Sequence, residues 1–282
     1  MAIIGGREIH PVSPRVGGFS RSPRTRDLRA MLPRLEDGLA DLPGIADWVA
    51  TLPRPVFDRP AEMVAMVHPD EYAMNEGPMR STAGRSFDAE TYETVTREEH
   101  VEHSNALHSV MADGGMPYFL GPLARINLNA ERLTPVAADV ARRTGLFLPE
   151  TDPFFSMAAR VAETALAFEE AIRLIRGYEE PQPAQVEVRP RAGRATWTTE
   201  APRGTLYHRY DVGDDGRILE AKIVPPTSQN LRHMEADLRG FVPGALDEPD
   251  DELRRLCEMV VRNYDPCISC ATHFLTLDIE RG

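Results

Sequence analysis

Cysteine is scarce in this chain, and it comes late. Three cysteines occur in 282 residues and none precedes Cys257. An odd, low count excludes a disulfide framework and fits a reduced, cytoplasmic protein. Long apolar runs are missing as well. Nothing approaches 18 consecutive apolar residues, which excludes a transmembrane helix. The opening stretch MAIIGGREIHPVSPRVGG has a short apolar stub and no proper hydrophobic region, so no secretory signal is expected. Basic charge is in deficit: 32 Lys and Arg against 44 Asp and Glu leave a formal net charge of −12. That balance excludes a general nucleic-acid-binding or anionic-membrane surface. No internal repeat or low-complexity block is present. What remains is a chain with 42% apolar and 27% charged residues, ordinary for a globular protein. Its length suits one large domain or two small ones.

Proline is frequent and falls between apolar stretches, which reads as helices joined by irregular loops. Residues 1–23 carry Gly5, Gly6, Pro11, Pro14, Gly17 and Gly18 and read as loop. Leu28, Met31, Leu32 and Leu35 predict a helix over 24–41, which Pro33 can kink or split. Residues 55–98 read as an excursion with short strands, and 130–145 as helix. The firmest helix is 153–177: Asp152 suits the N-cap, Pro153 the first position, Gly177 the stop. Val161, Ala165, Phe168, Ile172 and Ile175 give it one apolar face. A proline-containing connector over 181–195 precedes a β-hairpin, TLYHRYDV and RILEAKIV around GDDG. Helices are expected over 228–239 and 250–263, the second with Leu253, Leu256, Cys257, Val260 and Val261 inward and Asp250, Asp251 and Glu252 at its N-terminus. The total is mainly α with a small β element.

The most informative string is DPCISCATH, Asp265 to His273. Two thiolates three positions apart can grip one soft metal, and His273 can add an imidazole. Spacing alone leaves several readings open. A redox dithiol normally opens a helix after a strand in a thioredoxin-like unit, and nothing here has that form. A structural zinc site needs about four ligands. Cys257 lies on an apolar helix face and reads as a packed core residue rather than the fourth. An inert pair is the remaining option.

DPCxxCxxH close to the C-terminus resembles the signature of nickel–iron hydrogenase large subunits. IGGREIHPVSPRVGGF (4–19), HSNALHS (103–109), YFLGPLARINLN (118–129), EAPRGTLYHRYDV (200–212) and IVPPTSQN (223–230) resemble the same subunit in the same order, most nearly its soluble, cytoplasmic NAD(P)-linked branch. The resemblance covers essentially the whole chain. It implies a large-subunit-like helical bundle over 1–282, N-terminally incomplete, and heterolytic cleavage or formation of dihydrogen at a nickel–iron centre whose iron carries cyanide and carbon monoxide.

The family's centre sits on four cysteines, two from each of two CxxC motifs. By resemblance Cys267 is a terminal nickel ligand and Cys270 bridges nickel and iron. His273 corresponds to a histidine on a nearby magnesium, or iron, and Ile223 to the residue whose backbone carbonyl faces that ion. Pro226 and Thr227 correspond to the place where a cyanide is hydrogen-bonded; without the family, PPTSQN reads as a strand end and helix cap. Arg203 corresponds to an arginine over the open metal position. An electrostatic role is expected, with a thiolate taking the proton, because a guanidinium holds its own. Gly204 permits close backbone approach. His208 is expected beside the site but not as a ligand. His100, His103 and His108 are read as structural, and Arg125 as an anchor for a carboxylate or for a partner protein.

Implied partners are an iron–sulfur small subunit, diaphorase-type subunits, nickel-insertion proteins and a maturation endopeptidase that removes Phe274–Gly282. The sequence departs from the family at the front. The first CxxC, the early proton-relaying glutamate and the magnesium-binding glutamate have no counterpart, and about the first third of a full subunit is missing. A fragment or late start competes with a short paralogue or one half of a split subunit. Two thiolates cannot hold both metals in the family's geometry, so the chain alone is expected to be inactive. The alternatives are a small zinc protein using Cys267, Cys270 and His273, and a non-catalytic hydrogenase-like scaffold subunit.

Overall fold

The computed structural model describes residues 2–267. Short helical pieces at Ala2–Gly5 and Thr25–Arg29 and a two-residue strand pair lead into α1, Leu32–Ala50. Strands β1 (Glu62–Met66), β2 (Met79–Ser81), β3 (Ser86–Phe87), β4 (Thr96–Glu99), β5 (His108–Met111) and β6 (Tyr118–Phe119) follow. Next come α2 (Pro122–Leu128), α3 (Pro135–Arg143) and the long α4 (Ser156–Gly177). The C-terminal third holds β7 (Gly193–Ala201), β8 (Gly204–Val212), β9 (Ile218–Val224), α5 (Pro226–Phe241) and α6 (Asp250–Arg262). No described helix is long and apolar enough to cross a membrane.

The predicted helix at 24–41 is two helices. The break falls at Ala30–Met31, and Pro33 takes the second position of α1, where a missing amide costs no helical hydrogen bond. α1 also runs on to Ala50, through Pro43, because Leu42 and Ala46 bury themselves against the core. The helix expected at 153–177 starts with one 3-10 turn, Pro153–Phe155, capped by Asp152 accepting from the Phe154 amide at 2.9 Å. The predicted hairpin pairs Tyr207 with Val224 through Val212 with Ile218. A third strand, β7, extends it on the other side of β8 and overlaps the end of the expected connector. β7 buries only Thr198, so it offered no apolar alternation to read.

α4 is the axis of the main core. Its buried face is largely alanine (Ala158, Ala159, Ala162 and Ala165), which lets α1, α2 and α3 pack close on three sides. Phe168 lies over Gly38 of α1: a Cβ there would meet the ring at 2.9 Å. A helical glycine costs up to about 1 kcal/mol against alanine, and here the close approach of the ring offsets it. Beside this core, β1 joins β6 in parallel and β2 in antiparallel fashion, giving the sheet order β3-β2-β1-β6. β8 runs between β7 and β9, and α5 packs on β5, β6, β8 and α6. Cys257 is buried with Ala245 and Leu253 between α5 and α6, and burial pushes its thiol pKa up; it is a packing residue.

Gly38→Leu is expected to destabilise the fold by about 1–3 kcal/mol through overpacking. A lowered urea midpoint with unchanged slope would show it; an unchanged midpoint would contradict the close α1–α4 contact.

Candidate metal centre

The EAPRG string builds a tight β7–β8 hairpin whose two loop residues are Pro202 and Arg203. Gly204 follows with φ +131°. A Cβ at Gly204 would lie 2.5 Å from the Leu120 Cβ and 3.3 Å from the Pro226 Cβ. Only glycine allows this turn to rest on the start of α5 and on the backbone before α2. Gly121 meets it from the other side, 3.2 Å from the Arg203 carbonyl at the position of a Cβ.

The turn is held from beneath by Arg125, whose side chain is 2% exposed. Its guanidinium donates to the Ala201 and Pro202 carbonyls at 2.9 Å each and to Glu200 Oε2 at 3.0 Å. It also makes a two-pronged pair with Glu163 of α4, both bonds at 2.7 Å. Desolvation pulls the Arg125 pKa down, but Glu163 and Glu200 outweigh it and the net shift is upward. Burial pushes the Glu200 carboxyl above its ordinary value; Arg125, the Met66 amide and the Thr205 hydroxyl oppose that rise. Of the two roles expected for Arg125, the structure shows the carboxylate anchor.

α5 supplies the second wall. Pro225 precedes it and Pro226 occupies its first position, so the amide at Thr227 is one of the unpaired donors of the first turn. Thr227 through Asn230 are all buried although polar. Gln229 donates to the Thr205 and Val224 carbonyls at 2.7 and 3.1 Å and accepts from the Tyr118 hydroxyl at 3.0 Å. Asn230 accepts from the Leu120 amide at 2.8 Å and donates to the Leu120 carbonyl at 3.2 Å. The two amides tie α5 to β8, β9 and the end of β6.

The chain leaving α6 is pinned to α5 through Tyr264. His233 Nδ1 lies 2.6 Å from the Tyr264 hydroxyl, which in turn donates to Asp237. Arg59 lies 2.7 Å from His233 Nε2 and 2.7 Å from Asp237 Oδ1. Because arginine can only donate, Nε2 accepts, and Nδ1 carries the proton given to Tyr264. Burial, and then Arg59, lower the His233 pKa to about 3. From Tyr264 the chain turns through Asp265, at φ +48°, a left-handed conformation that aspartate tolerates better than most residues.

Three stretches therefore converge. Arg203 donates through Nε to the Asp265 carbonyl, and its Nη2 lies 3.2 Å from the Asp265 carboxylate. The Cys267 amide donates to Thr227 Oγ1 at 3.3 Å. Pro226 packs beside Gly204. Arg203, Pro226, Thr227 and Cys267 thus share one place. Ile223 is half-exposed on β9, opposite His208. His208 stacks on Tyr210, ring centroids 6.0 Å apart. Cys270 and His273 lie outside the described residues, as does 274–282. Sequence reasoning missed Gln229, Asn230, His233, Asp237 and Tyr264. A run of polar residues at the start of a helix, followed by two more at helical spacing, was the available signal.

No protein-family model matches the chain. It is 32% identical over 281 residues to the alpha subunit of sulfhydrogenase 1 from Pyrococcus furiosus, covering 98% of this chain and 65% of that protein. It is 28% identical over 308 residues to one subunit of the F420-non-reducing hydrogenase of Methanothermobacter marburgensis, covering 98% of this chain and 62% of that one. Among solved structures, the NAD+-reducing [NiFe]-hydrogenase in its H2-reduced state superposes with a TM-score of 0.78 at 22% identity, over 96% of this chain and 65% of that one. The chain has a nickel–iron hydrogenase large-subunit-like fold. It spans about 65% of the length of the relatives it matches. The fold expected from the sequence, mainly helical with a small β component, is the large-subunit-like fold observed. Beyond the hairpin and the short strands expected within 55–98, the chain also forms β5, β6 and β7.

In this site, Gly204→Ala forces an L-residue into a left-handed conformation against Leu120 and is expected to cost about 1–3 kcal/mol. Urea unfolding checks it, and a neutral result would contradict the close approach. The His233 pKa is lower in the folded chain than the ordinary value of about 6.5. The unfolded state therefore binds more protons between those values, so the stability from this residue is complete above about pH 6.5 and is lost as pH falls toward 3. The wild-type urea midpoint is expected to drop faster than that of His233→Gln between about pH 6.5 and 4. Asp237 is present in both chains, so the difference isolates His233; parallel curves would contradict the assignment.

Proposed function

We propose that this chain forms one side of a nickel–iron centre that cleaves or forms dihydrogen, and that it works in the cytoplasm with diaphorase-type subunits and an iron–sulfur small subunit. The observation that carries the reading is the convergence of Arg203, Thr227 and the Cys267 segment, through contacts that span 40 and 62 residues of sequence.

The donor set fits half of such a centre. Thiolates suit nickel and low-valent iron, and Cys267 and Cys270 provide two where the family uses four. The other pair has to come from another stretch of polypeptide. When bound, the metal pair supplies an open coordination position for heterolytic chemistry on dihydrogen. This chain's own residues would then act around it. Arg203 brings a fixed positive charge to the mouth of the site, where it stabilises developing negative charge. It does not act as a base, because a guanidinium keeps its proton; a Cys267 or Cys270 thiolate holds the proton instead. Thr227 accepts from the Cys267 amide, which leaves its hydroxyl proton to give to an anionic ligand. Pro226 has no amide, so the backbone donor at this corner is that of Thr227. His273 and the Ile223 carbonyl would hold a magnesium or iron ion near the C-terminus. Nickel-insertion proteins and an endopeptidase would load and close the site, with release of the nine residues Phe274–Gly282.

A non-catalytic scaffold role is the second reading. It is favoured by the small donor set, since Cys257 is spent in packing. Metal analysis of the chain purified with its bound partners separates the two. Nickel and iron near one per chain, together with hydrogen-dependent dye reduction, are expected. Arg203→Gln should then lower kcat by a factor on the order of 10²–10³ with metal content unchanged. A folded, partner-bound chain free of nickel and iron would overturn the proposal and leave the scaffold reading. Intact-mass analysis of the same preparation is expected to lack the nine terminal residues.

A further inference from the structure

The histidines of the HSNALHS string, expected to be structural, sit in an arrangement that packing does not explain. His108 opens β5, its side chain 2% exposed, and its Nδ1 has no hydrogen-bond partner. Burying a polar nitrogen unpaired costs about 1–3 kcal/mol. That nitrogen lies 3.9 Å from Glu235 Oε1 on α5. The same carboxylate oxygen lies 2.5 Å from Nε2 of His103, whose ring meets that of His108 edge to face with centroids 5.9 Å apart. One ligand atom from each of the three residues falls within 4.8 Å of the others.

We propose that His103, His108 and Glu235 form a binding site for a divalent transition-metal cation of the zinc class. Two imidazoles and one carboxylate are a donor set that zinc accepts, with water in the remaining position. The burial of His108 favours its neutral form, the form that binds metal. His103 is 61% exposed in its side chain, so it can swing the short distance from hydrogen bond to ligand, and the open position faces solvent. Glu235 Oε2 points away from the histidines toward Arg232 and Arg239, 3.6 and 3.8 Å distant. These arginines orient the carboxylate and leave Oε1 for the cation. About 12 Å of helix rise separates Glu235 from Thr227, so the cation would sit further along the same helix, α5. The proposal does not depend on the nickel–iron reading: it rests on three residues that take no part in that site.

The test is cobalt titration of the full chain carrying Cys267→Ser and Cys270→Ser, which removes the thiolates as competing ligands. One equivalent of cobalt is expected, with visible d–d absorption of an oxygen–nitrogen site and no sulfur charge-transfer band. His103→Ala, at an exposed position that folding does not need, and Glu235→Gln are each expected to weaken cobalt binding at least about tenfold. Zinc should raise the melting temperature of the parent chain and leave that of His103→Ala unmoved. No cobalt absorption in the parent, or equal affinity in His103→Ala, would overturn the site and leave a plain His103–Glu235 hydrogen bond.

Discussion

Arg125 makes the interaction on which the rest of the site depends. A guanidinium this deeply buried is tolerable only when its charge and all its donors are met, because a desolvated, unpaired ion costs several kcal/mol. Here α4 provides Glu163, β7 provides Glu200 and the Ala201 carbonyl, and the turn after β7 provides the Pro202 carbonyl. One side chain on α2 therefore fixes the position of the long core helix relative to the hairpin that carries Arg203. A buried ion pair of this kind is weak evidence for stability, since an apolar replacement can match it. Its value lies in geometry: the fork of donors has one satisfied arrangement, and that arrangement sets the turn.

Polar burial continues along α5, and it does a different job. Gln229 and Asn230 each bridge backbone groups on separate segments, so the sheet edge and the loop before α2 cannot slide past the helix. His233, Asp237 and Arg59 hold the Tyr264 hydroxyl, which anchors the chain just before Asp265 and Cys267. The late cysteine segment is thus presented to Thr227 and Arg203 by a rigid support, although it follows the last described helix. Both supports obey the rule that a buried polar network must be nearly complete to be worth having. His108 Nδ1 and Glu235 Oε2 are among the buried polar atoms without a hydrogen-bond partner, and both belong to the second cluster.

Much of the helical frame was legible in the sequence. Ala165, Ile172 and Ile175 on the buried face of α4, the Asp152 cap, the β8–β9 hairpin and the inward Cys257 all follow from spacing and local chemistry, whereas Ala158, Ala159 and Ala162 do not stand out in the sequence. Pro33 marked the break near the start of α1 within a few residues. β7 was not legible, because its residues alternate neither in polarity nor in size; pairing with β8 makes it a strand. The site divides along the same line. Cys267, Arg203 and Thr227 could be picked out by motif. Of the residues that hold them in place, Arg125 is readable as a carboxylate anchor, but Gln229, Asn230 and Tyr264 read as ordinary polar surface until the fold buries them. His103 and His108 do not share a helix face, and only the packing of β5 on α5 brings Glu235 to both.

Arg125 and Glu200 act as one unit in fixing the turn that bears Arg203. A double-mutant cycle on Arg125→Met and Glu200→Met, read by urea unfolding at neutral pH, tests this most directly. Arg125→Met strands Glu200 and Glu163, and Glu200→Met costs Arg125 one carboxylate partner. The double change removes the stranded Glu200 while Glu163 is unpaired in both Arg125 variants, so the cycle isolates the Arg125–Glu200 term. The double variant is expected to be more stable than the sum of the single losses by about 2 kcal/mol. Losses that add to within about 0.5 kcal/mol would contradict the coupling.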